Sequence, residues 1–260
     1  PTTLTVDDCL LGCSASATTP AGSNLSLCST GGPLLLTDAA INIPTLPLLY
    51  SDIYVLVDGD NIIQSNALLP NALIAPMNAD ATCPADNEVY TIYNINFETT
   101  QGIAITNGTT SIDGVNGPIF TDSAVLSNGD AYTGAPTEDA CMALSGAGLT
   151  VTVFSPVIVT PSLDTECADN DLTYETTFTV CGGSGTYSIV LATPGTVSPT
   201  TGTDATTFTV TGIPAATPSV VTVIDNFSPV PCNSTPTTLT VDDCLLGCSA
   251  SATTPAGSNL

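Results

Sequence analysis

The sequence predicts an all-β chain of tandem β-sandwich domains braced by disulfides, and three observations carry that prediction. Short runs rich in Val, Ile, Thr, Tyr and Phe are separated by Gly, Pro, Asn and Asp, the pattern of strands joined by turns. No stretch shows the three-and-four spacing of a helix face to a comparable degree. The chain also carries 10 cysteines in 260 residues, a density suited to an oxidising compartment.

A repeat frames the organisation. Residues 1–25 recur without a change at 236–260, a period of 235 residues. One period holds 8 of the cysteines, since Cys9 and Cys13 are repeated as Cys244 and Cys248; eight permit four bridges. The period far exceeds the roughly 20 to 50 residues of solenoid units, so each period is expected to hold whole domains, strung as beads. The chain reads as one full repeat plus the start of the next, with no initiator Met and no cationic secretory leader within it.

The second bead is placed at 157–244. Its strand candidates are 157–160, 172–180, 186–192, 205–212, 218–225 and 235–243. Their spacing and alternation, as in Phe208 and Val210 against Thr207, Thr209 and Thr211, predict a sandwich of the immunoglobulin-like kind. The last of these runs is repeated at the head of the chain. Residues 1–9 are therefore expected to be the closing strand of a preceding bead, with Thr3, Leu4, Thr5 and Val6 as an orphan strand that hangs free or pairs with a neighbouring copy.

The first complete bead runs from 10 to 156, again immunoglobulin-like, and residues 245–260 begin the next repeat. Its strand candidates are ASATT, PLLLT, SDIYVLVDG, NIIQS, EVYTIYNINFE and GLTVTVF. A long Gly- and Asn-rich connection at about 99–147 precedes the last, and inserts of that length are decorated loops, some of them binding loops.

Cysteine placement tests the strand order, because bonded pairs must lie at one pole of a sandwich. Cys181 follows the second run of the later bead and Cys232 lies in its last turn, which share a pole, so they are expected to pair. Cys167 and Cys244 lie at the opposite pole and form the second pair, which leaves Cys9 without a mate of its own. A Cys232–Cys244 bond is rejected because a strand at about 3.3 Å per residue separates them. The same reasoning pairs Cys13 with Cys141 and Cys28 with Cys83 in the first bead. Reduced buried thiols are the weaker alternative, and Cys9-Leu10-Leu11-Gly12-Cys13 is at most half of a zinc site.

The chain has 24 acidic residues and no Lys, Arg or His, a formal charge of −24. Ser/His/Asp and Cys/His nucleophile systems, Schiff-base lysines and arginine clamps are excluded with them. Nucleic acid is excluded as a partner, because phosphates need cationic side chains. At 43% hydrophobic and 9% charged residues the chain should fold, yet no apolar run is long enough for membrane insertion. Paired carboxylates of a glycosidase are disfavoured by the absence of Trp and the scarcity of aromatic residues. The chain is not expected to be an enzyme.

The acids gather in turns, and two readings stand beside each other. Asp, Asn and Gly build turns for backbone reasons alone, and no EF-hand loop is present. Alternatively Asp58 and Asp60, or Asp169 and Asp171, bind Ca2+, the one strong counter-charge open to a chain without cations. No other cofactor is expected. Asn24, Asn107, Asn226 and Asn233 head N-x-Ser/Thr sequons, a short motif that arises often in Thr-rich chains.

The runs CGGSGTYSIVLA and TGIPAATPSVVTVID resemble the SprB-type repeat of giant cell-surface proteins of Bacteroidota. YSDIYVLVDGDNIIQSNALLP, CPADNEVYTIYNINFE and EDACMALSGAGLTVTVF are similar to an immunoglobulin-like domain of the same polypeptides. The resemblance implies export, cell-surface attachment, and adhesion, gliding or fibre formation. The leading expectation is a structural repeat of a giant secreted extracellular filament or surface fibre, whose partners are neighbouring copies, with lateral fibre contacts. The alternative is an adhesin module whose 99–147 insert grips a glycan or surface, with Ca2+ rigidifying it.

Overall fold

The computed structural model describes residues 15–20, 22, 24–29, 34–36, 50–76, 87–99, 102–121, 130–135, 141–168, 172–192, 194–204, 206–226, 232–242 and 244. These form strands and turns with a single 3-10 turn at Pro70–Ala72, so the fold is all-β. They separate into two units, one up to Ser155 and one from Pro156, within a residue of the boundary expected from the strand pattern.

The first unit is built from β1 (Leu25–Cys28), β2 (Leu34–Leu35), β3 (Tyr50–Val57), β4 (Ile63–Ala67), β5 (Ile74–Ala75), β6 (Glu88–Glu98), β7 (Met142–Leu144) and β8 (Leu149–Phe154). Its main sheet has the order β1-β8-β6-β3-β4, with β7 also on β6, and β2 and β5 form a separate ribbon. The β1–β8 pair is parallel and the other pairs are antiparallel.

Side chains alternate across a strand, so the Ile53-Tyr54-Val55-Leu56-Val57 run needs apolar cover on both sides. It has it. Tyr54 and Leu56 join Tyr90, Ile92, Val151 and Val153 on one face, under Leu36, Leu73 and Ala75 from around the ribbon. Ile53, Val55 and Val57 join Ile95 and Phe97 on the other, under Ile112, Phe120 and Tyr132. Those last three come from the long connection between β6 and β7, and the Phe120 and Tyr132 rings stack with centroids 4.8 Å apart. The described part of the expected loop is thus largely a cover for the sheet.

The expected strand ASATT forms no backbone ladder among the described residues. It is tethered by side chains instead, with Ser16 N–H donating to Asn96 Oδ1 and Thr18 N–H to Asn94 Oδ1.

The second unit contains β9 (Ile158–Cys167), β10 (Thr173–Cys181), β11 (Thr186–Leu191), β12 (Thr196–Ser198), β13 (Thr201–Thr203), β14 (Thr207–Pro214), β15 (Val220–Asp225) and β16 (Thr237–Thr238). It has two four-stranded sheets, β12-β14-β10-β9 and β13-β11-β15-β16. With the strands named in turn, that is D-E-B-A against C-F-G plus one extra edge strand, the order of a constant-type immunoglobulin sandwich. All six runs expected from the sequence contain strands.

Burial in this unit follows period two. Tyr174, Phe178 and Val180 of β10, Phe208 and Val210 of β14, Tyr187 and Ile189 of β11, and Val221 and Val223 of β15 are buried. Phe178 and Phe208 are cross-strand partners whose rings stack with centroids 5.2 Å apart. The two unforeseen strands, β12 and β13, lie in one stretch that leaves β14 of one sheet and joins β11 of the other. Pro161 sits within β9, an edge strand, where its missing N–H can face away from the ladder.

Candidate functional site

The second unit is closed by residues 232–244. Val220 and Val221 of β15 pair with Thr238 and Thr237 of β16, and the Leu239 N–H donates to Ser219 O at 2.9 Å. Leu239 is 2% exposed while Val241, two residues on, is 43% exposed, so the segment enters the core at Leu239 and leaves it directly afterwards. Beyond Leu239 the segment turns toward β9. Thr240 Oγ1 donates to Ser162 O, Thr165 Oγ1 donates to an Asp242 carboxylate oxygen, and the Ala216 N–H donates to Asp242 O at 2.8 Å. A Cys167–Cys244 disulfide with a Cα–Cα separation of 5.7 Å completes the closure, as the pole argument expected.

Backbone pairing, one apolar anchor, two side-chain hydrogen bonds and a covalent lock thus fall within eight residues. This closing segment and the slot that it fills are the candidate functional site. Its residues 236–244 have the sequence of residues 1–9, so Thr238, Leu239, Thr240 and Val241 stand where Thr3, Leu4, Thr5 and Val6 stand upstream. Thr3, Leu4, Thr5 and Val6 lie outside the described residues.

Cys28, Cys141, Cys181 and Cys232 are also disulfide-bonded and all are buried. Cys13 and Cys83, the expected mates of Cys141 and Cys28, lie outside the described residues. Bonded cysteines indicate folding in a non-cytoplasmic, oxidising environment. Among the described residues, no helix is long and apolar enough to cross a membrane.

Among the described residues, Cys167, Asp242 and Cys244 alone bring three ligand-type atoms within 4.8 Å of one another. The two sulfurs are bonded to each other and are not thiolates, the form that binds a metal, so the group is not a ligand set while the disulfide holds.

Asp58, one of the acids of the calcium reading, builds the β3–β4 turn. One carboxylate oxygen accepts from the Asp60 N–H at 3.0 Å and the Ile62 N–H at 2.9 Å. The other accepts from Gln64 Nε2 at 2.7 Å. Asp60 contributes its carbonyl, which accepts from Asn116 Nδ2 at 2.8 Å. The turn reading accounts for these contacts, whereas Asp169 and Asp171 lie outside the described residues.

A second turn docks against this one. The Ser111 hydroxyl, the Val115 N–H and the Asn61 amide all donate to the exposed Asp113 carboxylate. The Ser111 bond foremost, then Val115, holds that carboxyl below its ordinary range. Sequence reasoning passed over Asp113, although Ser-Ile-Asp-Gly is a turn signal.

The CGGSGTY motif is likewise structural. Gly182, Gly183 and Gly185 have φ of 88°, 59° and 79°, backbone that glycine adopts without strain. The turn folds over the buried Asp225, whose carboxylate accepts from both the N–H and the hydroxyl of Ser184. A Cβ on Gly183 would stand 2.6 Å from Asp225 Oδ2. The Tyr187 hydroxyl donates to Gly182 O and to the Asp204 carboxylate, and burial followed by the Asp204 bond pushes this phenol far upward.

All four sequon asparagines are exposed. Three have an engaged amide oxygen: Asn24 accepts from the Thr150 N–H, Asn107 from Asn66 Nδ2 and Asn226 from Ser188 Oγ.

The sequence pattern did not reveal a buried polar group on β3 and β6. Asp52, Asn94 and Asn96 are all buried, and Asn96 Nδ2 donates to Asp52 Oδ1 at 2.9 Å. Asp52 Oδ2 and Asn94 Nδ2 have no hydrogen-bond partner among the described residues. Their only signal was three polar residues breaking apolar runs.

Comparison with protein-family models, with curated proteins and with solved structures finds no match to this chain.

Proposed function

We infer that this chain is a structural repeat of a secreted extracellular filament or surface fibre, its β-sandwich domains stabilised by disulfides. One observation carries the reading. The 25-residue stretch present twice in the chain has two separable parts, each of which is docked in one of its copies. In the downstream copy, residues 236–242 and Cys244 close the second unit. In the upstream copy, residues 15–20 and 24–25 open the first unit, through Asn94, Asn96, Thr150 and the β1–β8 pair.

A stretch that ends one kind of unit and begins the other is what a tandem array requires at every junction. The composition supports the same role. A chain without Lys or Arg gives trypsin-like proteases no cleavage site, and its disulfides resist unfolding, which suits long-lived material outside the cell. The described part of the 99–147 insert packs against the first sheet through Ile112, Phe120 and Tyr132, which favours the fibre over an adhesin gripping with that loop. The reading assigns the chain no catalytic step.

Electron microscopy of the purified native material tests it. Unbranched fibres with a constant axial repeat and a mass per repeat of one 235-residue period are expected. Dispersed particles carrying bound glycan would favour the adhesin and overturn the fibre.

A further inference from the structure

We propose that the outer face of the β13-β11-β15-β16 sheet is the surface by which copies of this chain lie side by side, each face packing on the same face of a second copy. The inference rests on the fibre reading and names the lateral contact within it.

The two outer faces of the second unit differ in one respect. On the β12-β14-β10-β9 sheet, the outward neighbours across strands are Thr177 and Thr209, Thr179 and Thr207, and Thr196 and Thr211. On the other sheet, Val190 lies opposite Thr222 and Ile224 opposite Ser188, and Val190 and Ile224 are 46% and 36% exposed. Valine and threonine share a branched shape and both suit a strand, so the faces differ in affinity for water rather than in form. The threonine face is built to stay wet. The other carries aliphatic groups that gain by being covered.

Charge selects what covers them. The chain carries −24 and no cation, so two copies repel where their carboxylates meet and approach closely only through neutral surface. This face is neutral among the described residues. Thr201 of β13 stands beside Ser188 and Thr238 of β16 beside Val220. The one acid within its strands, Asp225, is 1% exposed and is held by Ser184. Asp204, just beyond β13, accepts from the Tyr187 hydroxyl. Asp164, Glu166 and Glu175 belong to the other sheet, where Glu166 and Glu175 stand directly opposite each other. A cationic partner would find nothing to pair with on the neutral face. The same face of a second copy offers apolar groups to apolar groups, and hydroxyls, which both donate and accept, to hydroxyls. A self-complementary patch of this kind makes a two-fold contact.

The face is small, since β13 has three residues and β16 two, so a single contact belongs to the weak class below roughly 1,200 Å2. Tandem repetition offsets that, because one contact between two arrays holds the neighbouring faces at high effective concentration. Salt should strengthen the contact by screening the repulsion between chains.

The test is sedimentation equilibrium of the full chain at low and high salt. At about 1 mM, where a contact with a Kd of about 1 mM joins half of the chains, dimers are expected, with more of them at high salt. Val190→Thr with Ile224→Thr copies the pattern of the threonine face and should weaken association roughly tenfold; Val190→Asp should abolish it. Thr209→Asp adds the same charge to the threonine face and should leave association unchanged. A chain that stays monomeric, or equal effects of Val190→Asp and Thr209→Asp, overturns the proposal. So does a double threonine variant whose thermal midpoint falls while its association is unaltered, because the face would then be covered within its own chain.

A second measurement needs no variant. Hydroxyl-radical oxidation of Val190 and Ile224 should fall as the chain is concentrated, relative to Val115 of the first unit, which is 76% exposed; a constant ratio overturns the proposal. Fibres that stay single in micrographs, from a chain that stays monomeric, would defeat this inference and leave the fibre reading intact. A chain that pairs through this face but builds no fibre would do the reverse.

Discussion

The two units reach an all-β core by different routes. In the second, two four-stranded sheets bury one face each, so β14 reads as Thr207, Phe208, Thr209, Val210, with the aromatic and aliphatic residues inside. In the first, one six-stranded sheet is buried on both faces, and Ile53–Val57 of β3 read as an unbroken apolar run. Alternation is a record of a wet face. Where it disappears over a strand of ordinary length, a second cover must come from elsewhere in the chain, and here Ile112, Phe120 and Tyr132 supply much of it.

The contrast can be broken most directly at Phe120. If the insert is core, Phe120→Ala removes a fully buried ring stacked on Tyr132 and should destabilise the first unit by about 3–5 kcal/mol. The second unit's transition should stay where it is. Two-transition denaturation of the full chain checks this; a variant with both transitions unmoved would return the insert to the surface.

The converse experiment is removal of the Cys167–Cys244 bond, which closes a 77-residue separation in the second unit. Replacing both cysteines with Ser should lower that unit's stability by about 2–4 kcal/mol and leave the first unit's transition in place. Differential scanning calorimetry of the oxidised chain separates the two outcomes, and a shift confined to the first unit would contradict the assignment.

The same contrast explains which elements are legible in the amino-acid sequence. The six runs of the second unit were legible because alternating Thr and apolar residues mark a one-sided strand, and Cys167–Cys244 followed from strand order. β12 and β13 were not legible. Three residues each, on either side of Pro199, are too short to show a period, and only pairing with β14 and β11 makes them strands. In the first unit, the role of Phe120 and Tyr132 was hidden because the Gly and Asn around them signal turns, while the two aromatic side chains find each other from positions twelve apart. The Asp58 turn was legible as a turn, but its docking on Asp113 depends on a contact 52 residues away.

A smaller effect is expected at Gly183 of the second unit. Gly183→Ala places a methyl group 2.6 Å from Asp225 Oδ2 at a φ of +59°, so the turn must shift and the Ser184 bonds to Asp225 weaken. A loss of about 1–3 kcal/mol is expected, read as a lower midpoint for the second unit alone. The turn at Gly134 has open space around it, so Gly134→Ala in the first unit is the control for backbone strain without a clash.

The smallest effect concerns pH and belongs to the first unit. The Asp113 carboxyl titrates below its ordinary value of 3.8 in the folded chain, because Ser111, Val115 and Asn61 donate to the ionised form. A carboxyl lowered on folding contributes stability that is present above its unfolded value and is lost as pH falls through its folded value. The bonds to Asp113 join the β3–β4 turn to the insert through Asn61, so acid should loosen that cover first. Asp113→Asn should remove this part of the acid dependence of the first transition between neutral pH and the region below 3.8 and leave the second transition's acid limb unchanged. Parallel acid titrations of the two chains, followed by tyrosine absorbance, decide it. Superimposable curves would mean that the two turns touch without holding the insert in place.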